Sequence, residues 1–151
     1  MRPAPKVVPM RVVIFVFLVV FVTACNPPLT VSQQVIAVIR EMETRLENGE
    51  RRPFIKHVAE DFSGQNGQLN RQELQRLVLF QLNRHQRLNV QLFPITVTET
   101  GENKASARFK ALITGGPGWI PDQGQLYDFK TRWHYEGGDW ILISADWEPL
   151  L

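Results

Sequence analysis

The spacing of apolar residues changes once along this chain, near residue 88, and that change restricts the fold more than any other feature. Upstream, apolar residues recur every three or four positions, as on a helix. Downstream they alternate, as on a half-buried strand. Val31, Val35, Val38, Met42 and Leu46 form the first helical stripe, with Ile39 beside it, over residues 31–48. Thr30 and Ser32 are available as caps, and Asn48-Gly49 as a stop. Pro53 opens a shorter helix through about Ala59 with Phe54, Ile55 and Val58 as its apolar set, because proline is tolerated at a helix start. Asp61-Phe62 then leads into turn formers over residues 63–67. Asn70 and Glu73 stand at capping-box spacing, and Leu74, Leu77, Val78 and Leu82 give a third helix, to about Arg84, its buried face.

Four alternating segments follow, over residues 88–98, 105–114, 126–135 and 140–147. Pro94 interrupts the first and marks an edge or a bulge. Residues 100–103 and the sequence Glu136-Gly137-Gly138-Asp139 read as hairpin turns, and residues 115–124 as an irregular loop. Three helices followed by a meander of about four antiparallel strands imply an α+β fold with the helices on one face of the sheet.

The first 25 residues stand apart from that domain. Arg2, Lys6 and Arg11 form a positive start, residues 12–22 are an unbroken apolar run, and Thr23-Ala24 places small residues before Cys25. This is the layout of a secretory signal peptide. Crossing the hydrocarbon of a bilayer takes roughly 20 apolar residues, so a run this short suits export better than a permanent span. Val22-Thr23-Ala24-Cys25 resembles the bacterial lipobox. The resemblance implies cleavage before Cys25, diacylglycerol on its thiol and acylation of the new N-terminus. Several chains are needed, because one acyl chain binds a membrane only marginally. Cleavage without lipidation would leave an exposed free thiol, a reactive liability outside the cell. Asn26, where an aspartate retains enterobacterial lipoproteins in the inner membrane, points to the outer membrane. Asn26-Pro27-Pro28 makes a short, stiff tether. The expected divisions are a signal peptide over 1–24, lipidated Cys25 and tether over 25–30, and one domain over 31–149.

Three of the 17 lysines and arginines lie in the leader, so the mature chain carries 14 against 15 acidic residues. A near-neutral domain has no electrostatic footprint for nucleic acid, which is discounted as a partner. Cys25 is the only cysteine, which rules out an internal disulfide and a cysteine-based zinc site. The core alone must hold the domain.

The domain resembles the nuclear-transport-factor-2-like fold, also called SnoaL-like, over about residues 31–149. One feature is the long first helix followed by two short ones. Another is Asp61-Phe62, where members often carry an acidic-aromatic pair. The most distinctive is the hairpin Trp133-His134-Tyr135-Glu136-Gly137-Gly138-Asp139-Trp140-Ile141-Leu142-Ile143. The resemblance implies a cone-shaped roll in which a curved sheet wraps the long helix, with a pocket between them. It implies no single activity, since isomerases, cyclases, dehydratases, transport adaptors and secretion scaffolds share the fold.

Strict alternation on the last strand puts Trp140, Leu142, Ser144 and Asp146 on one face, and Ile141, Ile143, Ala145 and Trp147 on the other. Enzymes of the superfamily often carry a polar or acidic pocket residue near the end of this strand, where Asp146 falls. It could act as a general acid or base; a rim aspartate capping a backbone amide is the favoured expectation. His57 and Asp61, four apart, would share one side of a helix turn and could form a dyad, although a surface ion pair is favoured. Trp133 and Tyr135 share a strand face with Phe129 and Thr131. That stripe could line a ligand pocket with Ser144 and Asp146, and is more often core beneath the helices. Asp128, Lys130, Arg132 and His134 project to the opposite face, which is solvated or a homodimer contact. His57, His85 and His134 are scattered, so neither a metal nor a cofactor is expected. Gly115-Gly116-Pro117-Gly118 lacks the Gly-Lys-Ser/Thr ending of a phosphate loop.

The expectation that follows is a lipid-anchored envelope protein facing the periplasm. Its cone would be a non-catalytic binding or scaffold module for a small apolar ligand or an envelope protein. The alternative is a small isomerase- or cyclase-type enzyme using a pocket carboxylate. An open cavity with convergent polar groups would favour the enzyme; a cone filled by tryptophan and leucine would favour the scaffold.

Overall fold

The computed structural model describes residues 27–85, 88–116 and 123–150. The expected signal peptide over 1–24, Cys25, Asn26 and residues 117–122 of the glycine-rich loop lie outside them.

Helix α1, Val31–Glu47, opens on a capping box in which the Thr30 hydroxyl accepts from the Gln33 amide and the Gln33 side chain accepts from the Thr30 amide. Val35, Ile39 and Met42 are its buried residues. Helix α2, Arg51–Lys56, stops short of the expected end at Ala59. The chain becomes strand β1, Val58–Gly64, instead, with Val58 and Phe62 buried. β1 runs parallel to the last strand, and the Leu142 amide donates to the His57 carbonyl at 2.8 Å. A long-range backbone pairing, absent from local spacing, decides this segment. A 3₁₀ turn, Gln65–Gly67, and a two-residue strand β2, Leu69–Asn70, lead into α3, Arg71–Arg84. The Asn70–Glu73 capping box is present in both directions. Arg71 fastens α3 to β1, donating to the Val58 carbonyl at 3.1 Å and pairing with Glu60 at 3.2 Å.

Strands β3 (Leu88–Gly101), β4 (Lys104–Gly115), β5 (Gln123–Glu136) and β6 (Asp139–Pro149) form the antiparallel meander. The sheet has six strands in the order β2-β1-β6-β5-β4-β3. That corrects the expected count of about four, because β1 and β2 extend the sheet beyond β6. β3 is an edge, and its register with β4 shifts between Phe93 and Thr96, around Pro94. Proline has no N–H for the ladder, so an edge and a bulge are where it fits. The β5–β6 hairpin turns through Gly137 and Gly138, at φ 62° and 94°, where an L side chain would be strained.

A second irregularity lies in β6. Trp133 faces Leu142, but Arg132 faces Ser144, so Ile143 is an extra residue. The alternation inverts there. Trp140 and Leu142 face inward before the bulge; after it Ala145 and Trp147 stand opposite Thr131 and Phe129. Ser144 and Asp146 therefore do not share the face of Trp140, as strict alternation had it. They stand opposite Arg132 and Lys130, on the outer face.

Trp133 and Val35 are the largest fully buried side chains of the core. Trp133 is 2% exposed and stands opposite Ala105, whose small side chain leaves room for the indole. Trp140 packs beneath α1, its indole N–H donating to the Gln34 side chain at 3.0 Å.

Candidate functional site

Between the sheet and helices α1 and α3 lies a cavity of ≈ 720 Å³. Its floor is an aromatic ladder across three strands. Phe109 faces Phe129, and Phe129 faces Trp147. The first two rings stack at 5.2 Å and the second pair at 5.7 Å, while Tyr127 meets Phe129 edge-on at 6.2 Å. Such pairs add about 0.5–1.5 kcal/mol each beyond simple burial. The β6 bulge is what brings Trp147 into this ladder. Ile39, Met42 and Leu46 of α1 and Leu74, Leu77 and Val78 of α3 line the opposite wall.

Polar groups are unevenly placed around this apolar space. At the narrow end the Trp133 indole donates to the Thr131 hydroxyl at 2.8 Å, which donates to the Ala107 carbonyl at 3.0 Å. At the wide end the lining includes Gln81, Arg84, His85 and Tyr127, and Arg84 is exposed. Among the described residues Arg84 has no ion-pair partner, and the Tyr127 hydroxyl has no hydrogen bond. His85 lies against bare backbone. A Cβ on Gly115 would stand 2.5 Å from its Nδ1 and 2.6 Å from its Cγ. The cavity also has a carboxylate, Glu43, whose two oxygens accept from Arg40 at 3.0 and 3.3 Å.

Of the residues marked by the sequence, Trp133 lines the cavity, whereas Tyr135, Ser144 and Asp146 do not. Tyr135 lies beyond Trp133 on the same strand, 37% exposed, with its ring 5.4 Å from that of Trp140. Ser144 is buried, and its hydroxyl accepts from Arg132 Nε at 2.7 Å. Asp146 accepts from the Asn66 amide at 2.8 Å, holding a turn whose Asn66 has φ 56°. The bulge explains why Ser144 and Asp146 are elsewhere. His57 and Asp61 do not share a helix turn, because His57 caps α2 and Asp61 is an exposed residue of β1. His57 Nε2 lies 3.6 Å from Glu41 instead. The hydrogen bond from Arg45 holds the Glu41 carboxyl below the usual carboxylate range, opposed by its slight burial and helped by His57.

The cavity residues that the sequence did not single out are Phe109, Trp147, Glu43, Arg84, His85 and Tyr127. Phe109 and Tyr127 carried a signal, since alternation puts them in line with Phe129. Trp147 was hidden by the bulge. Arg84 and His85 sit where a helix ends, and their direction depends on the strands they meet. Among the described residues, no three His, Cys, Asp or Glu side chains gather to hold a metal, and no helix is long and apolar enough to cross a membrane.

No family model matches the chain, and neither does any curated protein sequence. Solved structures do match in shape. A candidate dehydratase of the NTF2-like family from Streptomyces avermitilis aligns with TM-score 0.68 at 19% identity, over 80% of this chain and 96% of its own. A Nostoc punctiforme protein with a cystatin-like fold aligns with TM-score 0.63 at 15% identity, over 82% and 95%. Bd1075 of Bdellovibrio bacteriovorus aligns with TM-score 0.68 at 10% identity, over 78% of this chain; the chain spans 41% of that protein. The domain thus has the NTF2-like, cystatin-like cone fold: three helices on a curved sheet, with a cavity between.

Proposed function

We propose that the domain is a non-catalytic binding module for a small apolar ligand, held on the periplasmic side of a bacterial membrane by lipid on Cys25, the outer membrane rather than the inner. The open cavity carries the binding role. Ligand sites typically enclose about 300–1,000 Å³ of mainly apolar surface with a few placed polar groups, and ≈ 720 Å³ over an aromatic floor fits that description. A solid scaffold would have no use for such a space. The anchor rests on residues 1–25: a basic start, a short apolar run and a lipobox-like Val22-Thr23-Ala24-Cys25. Non-catalytic action is favoured because the groups that the sequence offers as acid or base, and the cavity carboxylate Glu43, are engaged separately. Glu43 is held by Arg40, Asp146 holds a turn outside the cavity, and His57 faces Glu41.

The test of binding is the fluorescence of N-phenyl-1-naphthylamine, a neutral apolar probe, with a chain beginning at Leu29. Saturable enhancement is expected, with loss of most of it in Ala111→Phe, which fills the cavity from β4. Absence of saturation in the wild type, or unchanged binding in a folded Ala111→Phe, defeats the binding role. For the anchor, Cys25→Ser should move the protein from the membrane to the soluble fraction or leave it unprocessed; unchanged processing and membrane association would defeat it.

Several observations favour the enzyme alternative, the first being that the open cavity gathers Gln81, Arg84, His85 and Tyr127 at its wide end. Glu43 is a carboxylate on the cavity wall, and a structure of the same fold is named as a candidate dehydratase. Glu43→Gln separates the two readings. A binding module keeps its affinity for the probe and has no turnover to lose, whereas an isomerase, cyclase or dehydratase keeps binding and loses turnover of its substrate.

A further inference from the structure

We infer that the cavity takes an anionic amphiphile, with its apolar body on the Phe109–Phe129–Trp147 floor and its anionic head at the wide end against Arg84 and His85. The inference rests on the binding role proposed above and adds the chemical class of the ligand. Depth comes first. At the narrow end the polar chain of the described residues, Trp133 to Thr131 to Ala107, satisfies itself, so a polar group driven that far would lose its water and gain no partner. That end accepts hydrocarbon. Charge comes next. Among the described residues Glu43 is the one carboxylate lining the cavity, and Arg40 pairs with it at 3.0 Å. Arg84 lines the same cavity and, among the described residues, pairs with nothing. Among the described residues the uncompensated charge of the site is therefore positive and sits at its exposed end.

The setting of His85 points the same way. Gly115 does not have the positive φ that makes glycine necessary for backbone reasons. Its lack of a side chain matters because the His85 ring occupies the space, within 2.6 Å of where Cβ would be. The ring is thus seated at the wide end next to Arg84, where its second nitrogen can donate to an anion. Tyr127 and Gln81 bring neutral donors to the same lining. A guanidinium presents a planar fork of donors, which suits a carboxylate or a phosphate.

The experiment uses the full chain in phosphatidylcholine vesicles and two bromine-carrying probes of equal length, 11-bromoundecanoate and 11-bromoundecanol. Bromine quenches tryptophan fluorescence, and Trp133 and Trp147 line the cavity. The acid is expected to quench saturably at a concentration about threefold or more lower than the alcohol, as an ion pair at an exposed guanidinium supports. Arg84→Gln should remove that advantage without changing the alcohol, and Arg84→Lys should restore part of it. Equal affinity for acid and alcohol, or an unchanged acid affinity in Arg84→Gln, overturns the inference and leaves the apolar binding role standing. Failure of both probes to quench saturably overturns the inference together with the binding role.

Discussion

At the narrow end of the cone Trp133 faces Ala105 across the β4–β5 ladder, and the indole fills the space that the alanine leaves. At the wide end Phe129 faces Phe109, and the space above both rings is open. The two ends use the same sheet and the same inward alternation. They differ in how side-chain volume is shared between partners. A large residue against a small one lets the helices come down and close the core. Phe109 against Phe129 spreads a platform, extended by Tyr127 opposite Ala111, that α1 and α3 span without filling. Polarity follows volume: the closed end satisfies its own hydrogen bonds, whereas the open end presents Arg84 and Tyr127 with none among the described residues. The closed end thereby carries the packing, and the open end carries the proposed ligand binding.

The largest test of that division is Trp133→Ala. Truncating a core tryptophan typically costs about 3–5 kcal/mol, against roughly 5–15 kcal/mol for a whole domain. Urea unfolding should show a large drop in midpoint or no folded state; Trp140→Ala, which also loses the bond to Gln34, should behave similarly. A mild effect of both would mean that the narrow end is not where the fold is held. Gly115→Val probes the wide end. Its Cβ would collide with the His85 ring, and overpacking of this kind costs about 1–3 kcal/mol. The same urea curves should place it between wild type and Trp133→Ala; a neutral result would show that His85 swings away freely.

Asp146→Ala should cost less, about 1 kcal/mol or below, since it removes one hydrogen bond from an exposed turn amide that water can replace. A stabilised variant would instead place a strained carboxylate there and revive the catalytic use of Asp146. The smallest effect concerns Glu41. Its folded carboxyl is more acidic than its unfolded one, so its contribution is present above the unfolded value and is lost as pH falls through the folded one. Because the group is largely exposed, the effect should stay under about 1 kcal/mol. The urea midpoints of wild type and Glu41→Gln should differ slightly at pH 7 and converge at pH 3; a gap that widens in acid contradicts the assigned direction.

Much of this fold was written locally. The Thr30 cap, the Asn70–Glu73 box, the stop at Asn48-Gly49, the break at Pro94 and the turn at Gly137-Gly138 each involve residues within a few positions of one another. Each appears where spacing put it. The change of period near residue 88 separated helices from meander for the same reason, because a helix and a strand bury different intervals of their own sequence. Cys25 and its leader are likewise a local pattern.

What the tertiary structure decided lies between segments. Residues 58–64 have apolar spacing that a helix end could share, and only the parallel partner β6 draws them into the sheet. Ile143 looks like any other strand residue. It becomes a bulge where the pairing with β5 steps from Trp133–Leu142 to Arg132–Ser144, and that single extra residue exchanges Asp146 for Trp147 on the cavity floor. The cavity itself belongs to no segment. It is the volume left between two layers after their side chains have met, and local periodicity contains no measure of the distance between layers.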